Sequence, residues 1–423
     1  VRPDIGPDEI QWHVPQRLAS TLWLCRSIPF AAVCAALTLV ASCADSAVGL
    51  SKEATARSSP GNAAAYALPE HDAVTTSAQT WLLAGRTIEL LLSEPATSRR
   101  LPVVLYLPGL GESRSAGDVW RGAWSAAGYA VVSVQPLPED ELAWRSESAR
   151  NGEFKALAHD RYAAAATRQR LALLGDIASE AQRRSRAGEA GWDRIDWDRV
   201  VIAGFDLGAY SAIAMAGSME RDAAAPSGRV RLRAVLALSP YASVPSTRAD
   251  ASPHVSDLPL LALTGDADGD PLGVVEVGER SDRLLDRLRG PDQYLLLMSG
   301  LTHARLSGSA SFDKAAESRA GHATPDLNAG GKGGGRSGRG RRSQSEELDR
   351  TVQGRDTGRS PDGDLSLAEA RDRMAQAVRV TNAFLDAYAK DDPRARQWLA
   401  TSASSWLGAS GELRRPPAPG APG

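Results

Sequence analysis

Apolar runs of strand length recur along the middle of the chain, and stretches of helical length separate most of them. The runs are Thr87-Ile-Glu-Leu-Leu-Leu92, Pro102-Val-Val-Leu-Tyr-Leu107, Tyr129-Ala-Val-Val-Ser-Val134, Arg199-Val-Val-Ile-Ala203, Ala234-Val-Leu-Ala-Leu238, Leu258-Pro-Leu-Leu-Ala-Leu263 and Gln293-Tyr-Leu-Leu-Leu-Met298. A strand can be apolar throughout only if both of its faces are covered. Helices between such strands return the chain for parallel pairing. The expected class is therefore α/β, a mostly parallel central sheet with helices on both faces. Helices are expected over 117–128, with Trp120 and Trp124 one turn apart, and over about 156–186. The composition agrees: 43% of residues are hydrophobic, which excludes a wholly disordered chain. Lys+Arg at 49 against Asp+Glu at 51 lacks the basic excess of a wholesale nucleic-acid binder, so no nucleic-acid partner is expected.

The flanks read differently. The apolar stretch Ile28 to Val40 follows Arg17 and Arg26 and is too short to span a bilayer, for which roughly 20 residues are needed. It has the length of a signal-peptide core. It ends in Val40-Ala41-Ser42-Cys43, which resembles the lipobox of bacterial lipoproteins: a branched residue, two small residues and the cysteine that is acylated. That resemblance implies lipidation of Cys43, attachment to a membrane, and a place in the cell envelope, with Ala44 leaning towards the outer membrane. An ordinary secretory signal, or a short anchor, with Cys43 incidental is the alternative. All three cysteines, Cys25, Cys34 and Cys43, lie in this leader, so no disulfide framework holds the rest. The expected division is a lipoprotein signal over 1–42, a flexible tether over 43–78, the α/β domain over 79–308, an unfolded Gly/Arg/Ser-rich insertion over 309–364, a C-terminal helix over 365–400 and an unfolded tail over 401–423. The insertion contains the basic run Gly330 to Arg342, a possible envelope contact, although Glu346, Glu347 and Asp349 follow at once.

In an open parallel sheet, ligands sit at the carboxyl ends of the strands. Gly204-Phe-Asp-Leu-Gly208 directly follows one buried strand and opens an Ala-rich helix. The strand, Gly-x-x-x-Gly and helix order is that of a nucleophile elbow, whose glycines make room for a sharp turn that exposes the central residue, here Asp206. Pro108-Gly-Leu-Gly-Glu-Ser-Arg114 follows another strand and stands where an oxyanion loop would, so the backbone N–H groups of Leu110 and Leu207 are the expected oxyanion donors. Asp268, with Asp266 as the alternative acid, follows strand 258–263, and His303 follows strand 293–298. Nucleophile, acid and histidine come in that order in α/β-hydrolases, where the acid holds the histidine tautomer. Asp266, Asp268 and Asp270 also imitate the start of a calcium loop. Pro271 at the sixth position and Val277 at the twelfth speak against it, and neither metal nor cofactor is expected.

Leu101 to Gln135, Ile195 to Gly204 and Thr381 to Tyr388 resemble the dienelactone-hydrolase-like branch of α/β-hydrolases, near platelet-activating-factor acetylhydrolase-type enzymes. The resemblance spans about 79–308 and 365–400. It implies an α/β-hydrolase fold with little or no cap, acting on carboxylic esters or related small molecules. The chain departs from that branch at two places. Asp206 stands where the branch carries Ser or Cys, and Pro108 where it carries His. Asp at the elbow resembles epoxide hydrolases and haloalkane dehalogenases, which form an alkyl ester on the Asp. Their usual Trp after the Asp is Leu207 here, and their His-Gly-x-Pro loop is missing. The expected function is a secreted, lipid-anchored hydrolase using Asp206, His303 and Asp268. The alternative is a catalytically silent relative in which Asp206 only caps a helix.

Overall fold

The computed structural model describes residues 63–68, 73–97, 99–221, 230–242, 253–309 and 365–416. The chain divides into two units, Val1–Arg57 and Ser58–Gly423. The first unit lies outside the described residues, as do the signal, Cys43 and the insertion from 310 to 364. No helix among the described residues is long and apolar enough to cross a membrane.

A single nine-stranded sheet organises the second unit, in the order β1-β2-β4-β3-β5-β6-β7-β8-β9. Val74–Leu83 (β1) and Arg86–Pro95 (β2) form an antiparallel hairpin. Its two-residue turn is Ala84-Gly85, and both residues have positive φ, 49° and 74°. A two-residue turn of this hand matches the twist of the strands it joins. Leu101–Leu107 (β3), Ala130–Val134 (β4), Ile195–Phe205 (β5), Leu232–Leu238 (β6), Leu260–Ala267 (β7) and Gln293–Thr302 (β8) run parallel, and Gly411–Arg414 (β9) closes the far edge antiparallel to β8.

Alternation along each strand divides the core in two. Val103 and Leu105 face one side with Ile202, Leu174, Ile177, Ile213 and Trp192. Val104 and Tyr106 face the other with Ala203, Trp120, Trp124, Phe384 and Trp406. The first side is covered by Ala164–Arg186 (α3) and Leu207–Arg221 (α4). The second is covered by Asp118–Ala126 (α1), Leu367–Tyr388 (α7), Pro393–Thr401 (α8) and Ala403–Leu407 (α9). This is the α/β arrangement that the apolar runs require.

Four boundaries differ from the expectation. The helix expected over 156–186 is broken into Phe154–Arg161 (α2) and α3, because Ala163 is extended (φ −57°, ψ 147°) and Tyr162 turns into the protein. The closing helix is likewise two, α7 and α8, parted at 389–392. The tail expected to be unfolded from 401 instead supplies α9 and the edge strand β9, through Arg414. Within the expected tether, β1 already starts at Val74, and Tyr66 is buried with its hydroxyl donating to Asp386 Oδ2 at 2.8 Å. The loop after β3 is covered by the stretch between β4 and α3, whose Trp144 Nε1–H donates to Leu110 O at 3.0 Å.

Candidate active site

The carboxyl ends of β3, β5, β6, β7 and β8 converge, and every catalytic and oxyanion residue expected from the sequence lies on or just beyond them. Asp206 follows β5 with φ 51°, a conformation that L residues seldom adopt and that a turn between strand and helix imposes. Its own N–H donates to Leu238 O, and its carbonyl accepts from Tyr210 N in the first turn of α4. The two flanking glycines are there for space. A Cβ on Gly204 would lie 2.3 Å from Gly208 C, and one on Gly208 would lie 2.0 Å from Leu107 O. The start of α4 thus rests directly on the end of β3 and brings the 108–112 loop over Asp206.

That loop is pinned throughout. Gln135 Nε2 donates to Gly109 O and Glu112 O, Trp144 holds Leu110 O, and Gly111 N–H donates to Asp140 O. Two N–H groups in succession remain, and each meets a carboxylate. Gly109 N–H donates to Glu112 Oε2 at 2.8 Å, and Leu110 N–H donates to Asp206 Oδ2 at 3.1 Å. The other Asp206 oxygen, Oδ1, accepts from the Tyr162 hydroxyl at 2.9 Å. Of the two expected oxyanion donors, Leu110 is the one whose N–H engages the Asp206 carboxylate. Tyr162 is wedged edge-on against Tyr210 and Tyr241, with ring centroids 5.2 and 5.3 Å away. Around them Leu110, Leu157, Leu207 and Leu272 complete an apolar cluster.

The histidine and its acid form a second group. His303 Nδ1 lies 2.9 Å from Asp268 Oδ1, while Thr264 Oγ1 donates to Asp268 Oδ2 at 2.7 Å. The alternative acid, Asp266, is turned away and accepts from Gly300 N–H at the surface. Asp270 is occupied by Tyr241 OH and by the N–H groups of Leu272, Val274 and Val275. Among the described residues no cluster of His, Cys, Asp or Glu could hold a metal ion. The His303 ring, at the start of the short helix His303–Leu306 (α6), packs on Phe205 at 4.7 Å, and no hydrogen bond or ion pair joins it to Asp206 among the described residues.

Arg280 lies between these groups, fully buried at the end of the short helix Val277–Arg280 (α5). It pairs with Asp268 Oδ1, and its Nη1 lies 2.5 Å from Ser239 Oγ and 2.6 Å from His303 Nδ1. Its Nη2 donates to Tyr241 OH at 2.7 Å, and the guanidinium lies over the Tyr241 ring. Ser239, at the end of β6 with φ 50°, also donates to Asp268 Oδ1 at 2.9 Å.

Charge follows this packing. Burial alone would raise Asp268, but Arg280, His303 and Thr264 more than offset it and hold the carboxyl at about 2. Glu112 goes the other way. Burial raises it most, the nearby Asp206 charge adds to that, and the Gly109 N–H only partly opposes, so it stands at about 8. Burial and then the Asp206 charge push the Tyr162 hydroxyl well above its usual range.

Four groups at this site were not picked out from the sequence. Ser239 directly follows an apolar strand run, so a look past the end of β6 would have found it. Glu112 stands within the loop motif, but nothing in the motif marks it apart from its neighbours. Tyr162 and Arg280 carry no motif, because they arrive from segments far along the chain. No family model matches this chain, and no curated protein matches it.

Proposed function

We propose that the protein is a hydrolase that works through a covalent ester on Asp206 and acts on a small apolar molecule with an electrophilic saturated carbon, such as an epoxide or an alkyl halide. One observation carries this reading: Asp206 Oδ2 is held on the Leu110 N–H while Oδ1 rests on an exchangeable hydroxyl, Tyr162. In an ester-cleaving site of the serine type, the substrate carbonyl needs that N–H. Here the enzyme's own carboxylate takes it. A carboxylate that attacks a saturated carbon through Oδ1 forms a C–O bond there and expels the leaving group with its electron pair. Water then attacks Cγ and gives a proton to His303. The charge that develops on Oδ2 falls on the Leu110 N–H. Breaking the Cγ–Oδ1 bond releases the product alkoxide, which takes the proton back from His303. Asp268 would orient the ring for this work. This reading takes alkyl chemistry in place of the expected ester chemistry.

The test is a single turnover in 18O water with styrene oxide and, separately, 1-bromobutane. The expected product of the first turnover carries unlabelled oxygen, because its new oxygen comes from Asp206. His303→Gln is expected to accumulate the adduct by intact mass, and Asp206→Asn to form none. Labelled product, or no adduct in His303→Gln, sinks the covalent reading.

The arrangement around Arg280 supports a second reading, a silent fold with a binding role. A guanidinium 2.6 Å from His303 Nδ1 competes with the Nδ1–H that a general-base histidine donates to its acid. Absence of turnover in both wild type and Asp206→Asn across epoxides, halides and esters favours it. For location, the Val40 to Cys43 stretch supports lipid attachment to the envelope. Cys43→Ser is expected to release the protein from the membrane fraction.

A further inference from the structure

Of the groups around Asp206, Glu112 has no part in the steps above, yet it is the second carboxyl held by the N–H groups of the same loop. Successive N–H groups, those of Gly109 and Leu110, hold Glu112 Oε2 and Asp206 Oδ2. The two side chains are thus placed side by side by one backbone segment, itself held by bonds to Gln135, Trp144 and Asp140. Gly109 N–H donates to Glu112 Oε2, and the mostly buried side chain keeps partial exposure through which it can exchange a proton with solvent. The Asp206 charge, from the end of β5, opposes ionisation of Glu112, and the buried Tyr106 hydroxyl lies near enough to feel Glu112 when it ionises. A carboxyl that keeps its proton beside a second carboxyl can act as the acid while its neighbour acts as the nucleophile.

We propose that Glu112 is the acid that protonates the departing oxygen when Asp206 opens a strained cyclic ether. The inference rests on the covalent reading and assigns its substrate class. Asp206 Oδ1 forms the new bond to carbon, the ring C–O bond breaks, and its electron pair stays on the ring oxygen, which takes the Glu112 proton. Hydrolysis of the ester then consumes one water. One of its protons goes to the product alkoxide through His303, and the other is lost to solvent from the reformed Asp206 carboxyl. Glu112 recovers a proton from solvent, so the sum is epoxide plus water to diol. Tyr162 is the competing donor, but its hydroxyl is committed to the oxygen that attacks.

A halide leaves without a proton, and this separates the roles. In the His303→Gln protein, which stops after the first step, adduct formation is followed by intact mass with styrene oxide and with 1-bromobutane. Adding Glu112→Gln is expected to lower the epoxide-to-bromide rate ratio about a hundredfold, a usual size for lost general-acid help. Adding Tyr162→Phe in its place is expected to leave the ratio nearly intact. An unchanged ratio in Glu112→Gln, or an equal fall with both substrates, overturns the assignment while the covalent reading stands. A fall in the ratio confined to Tyr162→Phe moves the role to that residue. Absence of adduct with either substrate in the His303→Gln protein sinks the covalent reading and this one together. A measurement without substrate adds a second check: infrared spectra at pH 6 should contain a protonated-carboxyl band that Glu112→Gln removes, and its absence overturns the proposal regardless of turnover.

Discussion

Glu112 couples the candidate site to the pH dependence of the fold. Its folded value, about 8, lies above its ordinary 4.5. Between those two values the folded chain keeps a proton that the unfolded chain has released. Stability contributed by Glu112 is therefore full below about 4.5 and falls as pH rises towards 8. Urea midpoints measured at pH 5 and pH 9 are expected to fall less in Glu112→Gln than in the wild type; identical slopes would mean that the group is already ionised in the fold. Arg280 is the opposite case, a permanent charge held by Asp268 with a further contact to Asp270 at 3.6 Å. Arg280→Gln leaves those carboxylates buried without their counterion, at a cost of about 3–5 kcal/mol. Denaturant unfolding of the variant measures it, and a loss under 1 kcal/mol would show that water reaches Asp268. At this scale the sequence was readable wherever a residue stands at the end of a strand. Asp206, Asp268 and His303 all do. Tyr162 and Arg280 do not, since long side chains from remote helical turns reach the site with no spacing that marks them.

The strand–turn–helix around Asp206 works because two neighbours have no side chain. Gly208→Ala would press a methyl group into Leu107 O, C and Pro108 O, all backbone atoms that cannot give way. The cost is on the order of 3 kcal/mol. Gly122, inside α1, has nothing within 4 Å of its absent Cβ. Gly122→Ala should therefore gain about 1 kcal/mol of helix propensity. The opposite signs, read by thermal unfolding of both variants, distinguish a glycine required by packing from one that is merely tolerated. The parallel strands were legible for the same reason that they are buried: both faces must be apolar. β1 was not, because Val74-Thr-Thr-Ser-Ala-Gln-Thr80 lies at an edge with mostly exposed residues and carries little apolar signal. β9, four residues long, is too short for any period. The break between α2 and α3 was hidden as well, since Tyr162 and Ala163 are unremarkable in a helix and only the inward turn of Tyr162 separates the two.

Across the whole unit, the first described residues and the last helices hold one another. Asp386, on α7, accepts from Tyr66 OH at 2.8 Å and Tyr129 OH at 2.7 Å and pairs with Lys390 at 2.8 Å. Trp398 Nε1–H donates to Ala64 O at 2.9 Å. Asp386→Ala would leave two phenols and a lysine without their shared acceptor. The loss is about 2–4 kcal/mol, given the penalty for each buried polar group left unpaired. It should appear in urea unfolding as a lower midpoint with an unchanged slope. The sequence could not announce this lock, since its two sides are 320 residues apart. That separation has a consequence for a chain made from its N-terminus. The hydroxyl of Tyr66 must wait for almost the entire domain to be synthesised before its acceptor exists, so this bond closes only once the final helices are made.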